Sequence, residues 1–251
     1  MILCYSGCGN SRFVADELAR LTSDRVEDMD LMAPSPSVTL AVGEPLGIVC
    51  PVYAWRVPRV VEAHIEKLHT DAVPSYCYLV CSCGDNAGST DSFFARLLSL
   101  KGWHLDAAFT VIMPETYVNL KAFKLDTPEK AKAKTETTRK RLPSIANHIN
   151  LRHKVTDMVR GAVPRLKSGI VNSLFYMLLI TDKRFVVHDS CIGCGICQQH
   201  CPLHNITLHD GRPQWHGNCT NCMSCYHRCP QNAIHFGTVT ENKGQYYFGK
   251  G

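Results

Sequence analysis

The feature that most constrains this 251-residue chain is a cysteine pattern written twice. C-x2-C-x2-C-x3-C-P runs through Cys191, Cys194, Cys197 and Cys201 to Pro202, and recurs 28 residues later through Cys219, Cys222, Cys225 and Cys229 to Pro230. Three thiolates spaced two residues apart can curl round three corners of one iron-sulfur cube, while the following turn carries the fourth away to a second cube. The spacing therefore predicts one 4Fe-4S cluster on Cys191, Cys194, Cys197 and Cys229, and another on Cys219, Cys222, Cys225 and Cys201. Structural zinc normally draws two C-x2-C pairs rather than four cysteines in one tight run, and a disulfide framework belongs to small secreted chains. The clustered reading is preferred to both.

Pro202 and Pro230 suit the turn after each fourth cysteine, since proline fixes φ and needs no partner for a backbone donor. The residues that follow repeat as well. Asn205 to Leu208 alternates like a strand, Asp210-Gly211 is a two-residue hairpin turn, Pro213 to Trp215 returns, and Ala233 to Phe236 takes the equivalent strand position after the second motif. This region, roughly 187–238, resembles the bacterial-type dicluster ferredoxins and is expected to be a small α+β dicluster ferredoxin domain.

The eight ligands account for only part of the 14 cysteines. Cys4, Cys8, Cys50, Cys77, Cys81 and Cys83 all precede residue 90 and sit mostly in apolar runs, as reduced core cysteines do. The N-terminus MILCYSGCGN has no basic leader region, so a cytoplasmic location is expected. The longest apolar run, 170–180, is far shorter than the ~20 residues of a membrane span. The net charge of +5 is concentrated: 121–167 holds 13 Lys and Arg against 4 Asp and Glu. A solvated helix face is the preferred reading of that segment over a nucleic-acid surface, and no DNA partner is expected.

The first half alternates strand and helix signals: strands at 2–5, 46–50, 76–81 and 107–113, helices at 12–21, 91–100 and 127–151, the last with Thr127 as N-cap and Pro143 as a kink or break. Such alternation predicts a doubly wound α/β parallel sheet with helices on both faces, in which ligands bind beyond the carboxyl ends of the strands. Three loops stand there. Ser6-Gly7-Cys8-Gly9-Asn10-Ser11 joins the first strand to the first helix, where free N–H groups and the helix N-terminus make an anion site. Arg12 occupies the third glycine position of a dinucleotide fingerprint, and no Gly-Lys-Ser/Thr follows. Pro51-Val52-Tyr53-Ala54-Trp55 follows the second strand with two stacking aromatics. Cys83-Gly84-Asp85-Asn86 follows the third.

Ser6, Gly9, Asn10 and Ser11 match the phosphate loop of flavodoxins, and Cys8 stands where that family has a threonine. The other two loops are similar to its ring-binding loops. The resemblance implies a flavodoxin-like domain binding FMN, with the phosphate at Ser6 to Ser11, Tyr53 and Trp55 against the isoalloxazine ring, and backbone N–H groups of 83–86 at its pyrimidine edge.

The order of these parts, with the apolar Leu-Phe-Tyr stretch at 174–176 and Asp182-Lys-Arg-Phe between them, resembles the EFR1 family of flavodoxin-ferredoxin fusion proteins over nearly the whole chain. The expected organisation is a flavodoxin-like domain at 1–152, a basic and apolar helical linker at 153–186 docked on its neighbours, the ferredoxin domain at 187–238 and a tail at 239–251. The resemblance implies electron transfer between FMN and two 4Fe-4S clusters, with redox partner proteins as donor and acceptor. Flavin-dependent reduction of a small molecule, and a non-redox nucleic-acid protein with structural clusters, are the alternatives. No general acid or base is evident in the loops. His200, His204 and His227 lie near the ligands and are expected to be solvated rather than bonded to sulfur.

Overall fold

The computed structural model describes residues 1–249; residues 250 and 251, the end of the expected tail, lie outside the described residues. The amino-terminal unit is a six-stranded, wholly parallel sheet in the order β2-β1-β4-β6-β7-β8. Its elements are β1 (Ile2–Cys4), α1 (Asn10–Thr22), β2 (Val26–Asp28), β3 (Ser37–Val38), β4 (Leu46–Pro51), α2 (Arg59–Lys67), β5 (His69–Thr70), β6 (Cys77–Cys83), α3 (Thr90–Leu100), β7 (Leu105–Ile112), α4 (Pro128–Asn150) and β8 (Val155–Asp157). Strands β1, β4 and β6 are buried almost throughout, whereas the edge strands β2 and β8 carry exposed residues. Continuous apolar runs are what a strand needs when both faces of its sheet are covered.

Helices α2 and α3 cover one face, placing Val61, Ile65, Phe94 and Leu98 over Leu3, Ile48 and Leu79. Helices α1 and α4 cover the other, where Val14, Leu18, Leu142 and Ile145 meet Val49, Tyr78 and Phe109. Pro143 lies inside an uninterrupted α4, so it does not break the helix. Leu142, Ile145 and Ile149 are buried beside it, so tertiary packing of that stripe outweighs the one backbone bond that proline removes. Part of the basic charge of this region is paired: Lys130 and Lys134 with Asp126, Arg139 with Glu17, Arg141 with Asp157, Arg160 with Asp91.

The chain expected as linker from 153 first completes the sheet, because β8 pairs with β7. Two residues of β8 are exposed and it carries no apolar run, so periodicity could not reveal it. A continuous helical stretch follows, from α5 (Pro164–Leu166) through a π-type turn (Lys167–Val171) to α6 (Asn172–Leu178). It docks through polar residues: Ser168 and Asn172 are fully buried, while Ile170, Met177 and Leu178 are exposed.

The carboxy-terminal unit is small and doubled. Strand β9 (Phe185–Val187) pairs antiparallel with β12 (Ile234–Phe236), and β10 (Ile206–His209) with β11 (Arg212–Trp215) through a turn with positive φ at Asp210 and Gly211. Short helices α7 (Ile196–Gln199) and α8 (Ser224–Arg228) carry Cys197 and Cys225. The repeat extends to the backbone: Gly193 and Gly195 are left-handed in the first copy, and Asn221 and Met223 hold the equivalent left-handed positions in the second. Phe185 stacks on Trp215 at 5.1 Å, and the core of Ile206, Tyr226, Ile234 and Phe236 also takes in Val118 from the loop after β7. Among the described residues, no helix is long and apolar enough to cross a membrane.

Candidate functional site

Beyond the carboxyl ends of β1, β4 and β6 lies a cavity of about 490 Å³. Ser6, Gly7, Cys8, Asn10, Ser11, Pro51, Tyr53, Ala54, Trp55, Cys83, Gly84, Asp85 and Asn86 all line it. Of the fourteen residues expected at the three loops, Gly9 stands outside the wall: it is the left-handed N-cap of α1 and packs against Phe248. The far wall comes from the helical linker and from Thr220, Asn221, Cys222 and Met223 of the second cysteine motif.

The side chains of the first loop are largely committed to protein. The Gly9 N–H donates to Ser6 Oγ at 3.1 Å, Asn10 Nδ2 donates to the Pro114 carbonyl at 2.9 Å, and Ser11 Oγ shares a 2.8 Å hydrogen bond with Ser82 Oγ. Cys8 turns to the cysteine motif, its thiol donating to the Cys222 carbonyl at 3.3 Å, and burial pushes that thiol well above its ordinary range. No side chain caps α1. Among the described residues, what remains for an anion is backbone, the N–H groups of the loop other than that of Gly9 and those of the first turn of α1.

The second loop is held in a costly shape. Ala54 and Trp55 both have positive φ, which non-glycine residues adopt only when their surroundings impose it. Asn172 Nδ2 donates to the Ala54 and Tyr53 carbonyls at 3.0 and 3.3 Å, and Ser168 Oγ and Thr90 Oγ1 donate to the Trp55 carbonyl at 2.7 and 3.0 Å. The Lys167 ammonium stands 5.2 Å over the Trp55 ring. Sequence reading overlooked these supports, although Asn172 interrupts the apolar run 170–180; Ser168 lies outside that run and carries no such signal.

Glu115, in the loop after β7, is a further residue that sequence reading missed. One carboxylate oxygen accepts the Tyr117 and Thr116 N–H groups at 2.8 and 3.0 Å; the other lies against Gly84 at the cavity wall. Burial raises this carboxyl above its ordinary range, against the pull of those two N–H groups and Lys134. It is the kind of ionisable group that the three loops alone did not supply.

Three cysteines of the first motif share a small cavity with one of the second. Cys191, Cys194, Cys197 and Cys229 line one small cavity with Ile192, Leu208, Pro213 and Ile234. Cys225 is raised by burial and then by the neighbouring thiols of Cys222, Cys219, Cys201 and Cys197. Backbone N–H groups point at sulfur: Asn205 to Cys201, Asn221 to Cys219, and Ala233 to Cys229, at 3.2 to 3.3 Å. Among the described residues, no three His, Cys, Asp or Glu are set to hold a single metal ion. Four thiols around a space, with N–H donors on the sulfurs and apolar walls, are a donor set that fits a multi-iron cluster.

Of the three histidines, His200 and His204 are exposed as expected, but His227 is buried. Its Nδ1 accepts the Tyr246 N–H at 3.2 Å, so Nε2 is left to donate to the Thr116 carbonyl at 2.8 Å. It joins the two units rather than meeting solvent. The tail does the same: Gln245 Nε2 donates to the Tyr226 and Cys229 carbonyls at 2.6 and 2.8 Å, and the Phe248 N–H to the Cys8 carbonyl at 2.8 Å.

No curated protein matches the chain by sequence. Residues 190–234 match the family model of the 4Fe-4S dicluster domain, which spans both cysteine motifs and the hairpin between them. The chain thus joins an α/β parallel-sheet unit to a small iron-sulfur dicluster domain.

Proposed function

We propose that this is an electron-transfer protein in which FMN in the three-loop cavity and two 4Fe-4S clusters in the dicluster domain exchange electrons with each other and with external redox partner proteins. The observation that carries the reading is that Cys222 lines the same cavity as the Ser6 to Ser11 and Tyr53 to Trp55 loops. FMN, when bound, supplies a centre that takes up two electrons and gives them out singly. The residues divide the remaining work. Backbone N–H groups of the 6–11 loop other than Gly9, with those of the first turn of α1, would hold the phosphate, Tyr53 and Trp55 would hold the ring, and residues 83–86 would bind its polar edge. Cys191, Cys194, Cys197 and Cys229 would hold one cluster; Cys219, Cys222, Cys225 and Cys201 would hold the other.

Leu174, Phe175 and Leu178 of the linker give the cavity an apolar side. Iron, acid-labile sulfide and released flavin, measured per chain after anaerobic purification, test the scheme. Eight irons with one FMN are expected, and a fully iron-loaded protein that neither retains nor takes up FMN overturns the flavin assignment.

A second reading, flavin-dependent reduction of a small molecule fed by the clusters, is favoured by Glu115 alone, a carboxyl held at the cavity wall with its acid form stabilised. An anaerobic screen of small acceptors for flavin reoxidation separates the two, since a carrier responds to partner proteins and not to the screen.

A further inference from the structure

The helical stretch that ends at Leu178 is built inside out. On a soluble domain a surface helix turns its apolar stripe to the core and its polar face to water. Here Ser168 and Asn172 are the fully buried residues, fastened to the Trp55, Tyr53 and Ala54 carbonyls. Val163 at the N-cap of α5, then Leu166, Ile170, Leu174, Met177 and Leu178, are all exposed, Ile170 to 64% and Met177 to 69%. Side chains three and four positions apart are neighbours on a helix, so these form one outward stripe.

Single exposed apolar residues call for no explanation, but a contiguous set marks a surface that meets something other than water. A ligand in the cavity does not cover this one. Leu174 and Leu178 reach the cavity wall, whereas Leu166, Ile170 and Met177 do not line it.

Charge selects among the other occupants. Residues 158–181 include Arg160, Arg165 and Lys167 and no Asp or Glu. Arg160 is paired with Asp91 and Lys167 stands over the Trp55 ring, while Arg165 is exposed, as are Lys183 and Arg184 just beyond the helix. Arg59 of α2 is exposed as well, its guanidinium 4.3 Å over the Tyr176 ring. A second copy of the chain seated on the same stripe would set cations against cations, whereas an anionic surface would be drawn to them.

The stripe itself is aliphatic. The aromatic rings of the helix turn back onto the protein, Tyr176 beneath Arg59 and Phe175 with its centroid 5.7 Å from that of Tyr117. Protein interfaces are anchored by aromatic and Arg side chains that fill pockets on the partner. An aliphatic ridge bordered by cations is instead what a helix presents when it lies in the headgroup layer of a bilayer.

We infer that this stripe is a peripheral docking surface for an anionic membrane, which it enters to the acyl boundary without crossing, with Arg165, Lys183 and Arg59 meeting lipid phosphates. Leu174 and Leu178 belong both to the stripe and to the cavity wall, so docking brings the linker side of the cavity to the lipid. The inference goes beyond the electron-transfer reading and does not depend on which group the cavity holds.

Co-sedimentation of the anaerobically purified full chain with vesicles is the test. Binding is expected to vesicles of phosphatidylcholine mixed with phosphatidylglycerol, weakening as salt rises, and far less to phosphatidylcholine alone. Ile170→Glu and Met177→Glu, both at exposed positions outside the cavity wall, are each expected to weaken binding about tenfold or more, and Arg165→Gln about fivefold. The comparison is made on whichever of the two Glu variants keeps the iron content of the wild type. No binding to the anionic vesicles overturns the inference and leaves the stripe to an acidic partner protein. Binding that both Glu variants retain in full also overturns it, since the basic face of α4 would then be the lipid contact. A chain that is dimeric without lipid and monomeric as Ile170→Glu overturns it in favour of a second copy.

Discussion

Gly7 and Cys222, 215 positions apart in the chain, are in contact: a methyl group on Gly7 would stand 2.9 Å from the Cys222 Cβ and 3.2 Å from its carbonyl oxygen. Two backbones carrying different functions approach here as closely as the absence of a side chain allows. Gly7→Val should therefore part the second cysteine motif from the first loop, at about 1–3 kcal/mol for overpacking. A lower thermal midpoint with both units still folded, shown by proteolysis confined to the linker, is the expected outcome. An unchanged midpoint would show that the interface yields at no cost.

Asn172 holds the Tyr53 and Ala54 carbonyls from the linker. Asn172→Ala removes these bonds and frees a loop with two residues at positive φ, so it should relax out of the shape that the cavity requires. A net loss of about 1–2 kcal/mol for the bonds corresponds to roughly 5- to 30-fold weaker flavin binding. Fluorescence titration of flavin-free protein measures it, and wild-type affinity would detach the linker from this role.

Glu115 provides a pH signature. Its folded-state pKa is raised by burial, so between the ordinary carboxylate range and that raised value the folded chain binds more protons than the unfolded one. Stability from this group is full below the ordinary range and is lost as pH rises through the raised value. Glu115→Gln should flatten that decline without altering the more acidic limb. Chemical denaturation at a series of pH values gives the comparison; parallel profiles would mean that Glu115 ionises freely in the fold.

Phe248 stacks on Phe13 with centroids 4.4 Å apart and an interplanar angle of 23°. Phe248→Ala removes this pair, worth about 0.5–1.5 kcal/mol beyond the area it buries, and loosens the strap that joins the Cys8 carbonyl to α8. The expected sign is faster hydrogen exchange at the first loop and at α8 together. Faster exchange at only one of them would assign the tail to a single unit.

Gly47 of β4 lies directly against the ring of Tyr78, on the adjacent strand β6. Gly47→Ala should cost about 1–3 kcal/mol through displacement of that ring, seen as a lower denaturant midpoint with an unchanged slope.

Legibility differed sharply between elements. Central strands β1, β4, β6 and β7 were readable because burial on both faces demands unbroken apolar runs, whereas β2 and β8 at the edges carry no such demand. Pro143 does not break α4 because the buried stripe of that helix outweighs one missing bond. His227 was misread because its burial depends on two distant segments, around Thr116 and Tyr246, that no local pattern connects.

By itself the sequence determined the parallel α/β unit, the doubled cysteine motif and the three loops at the strand ends, because ligand spacing and hydrophobic period are local properties of the chain. Only the tertiary structure decided that the second motif, and not the first, forms a cavity wall, that Ser168 and Asn172 hold the aromatic loop, and that Gly7 lies against Cys222. Those relations arise from packing between segments as many as 215 positions apart, where Gly7 permits close approach and buried polar groups must find partners, and neither condition leaves a periodic trace in sequence.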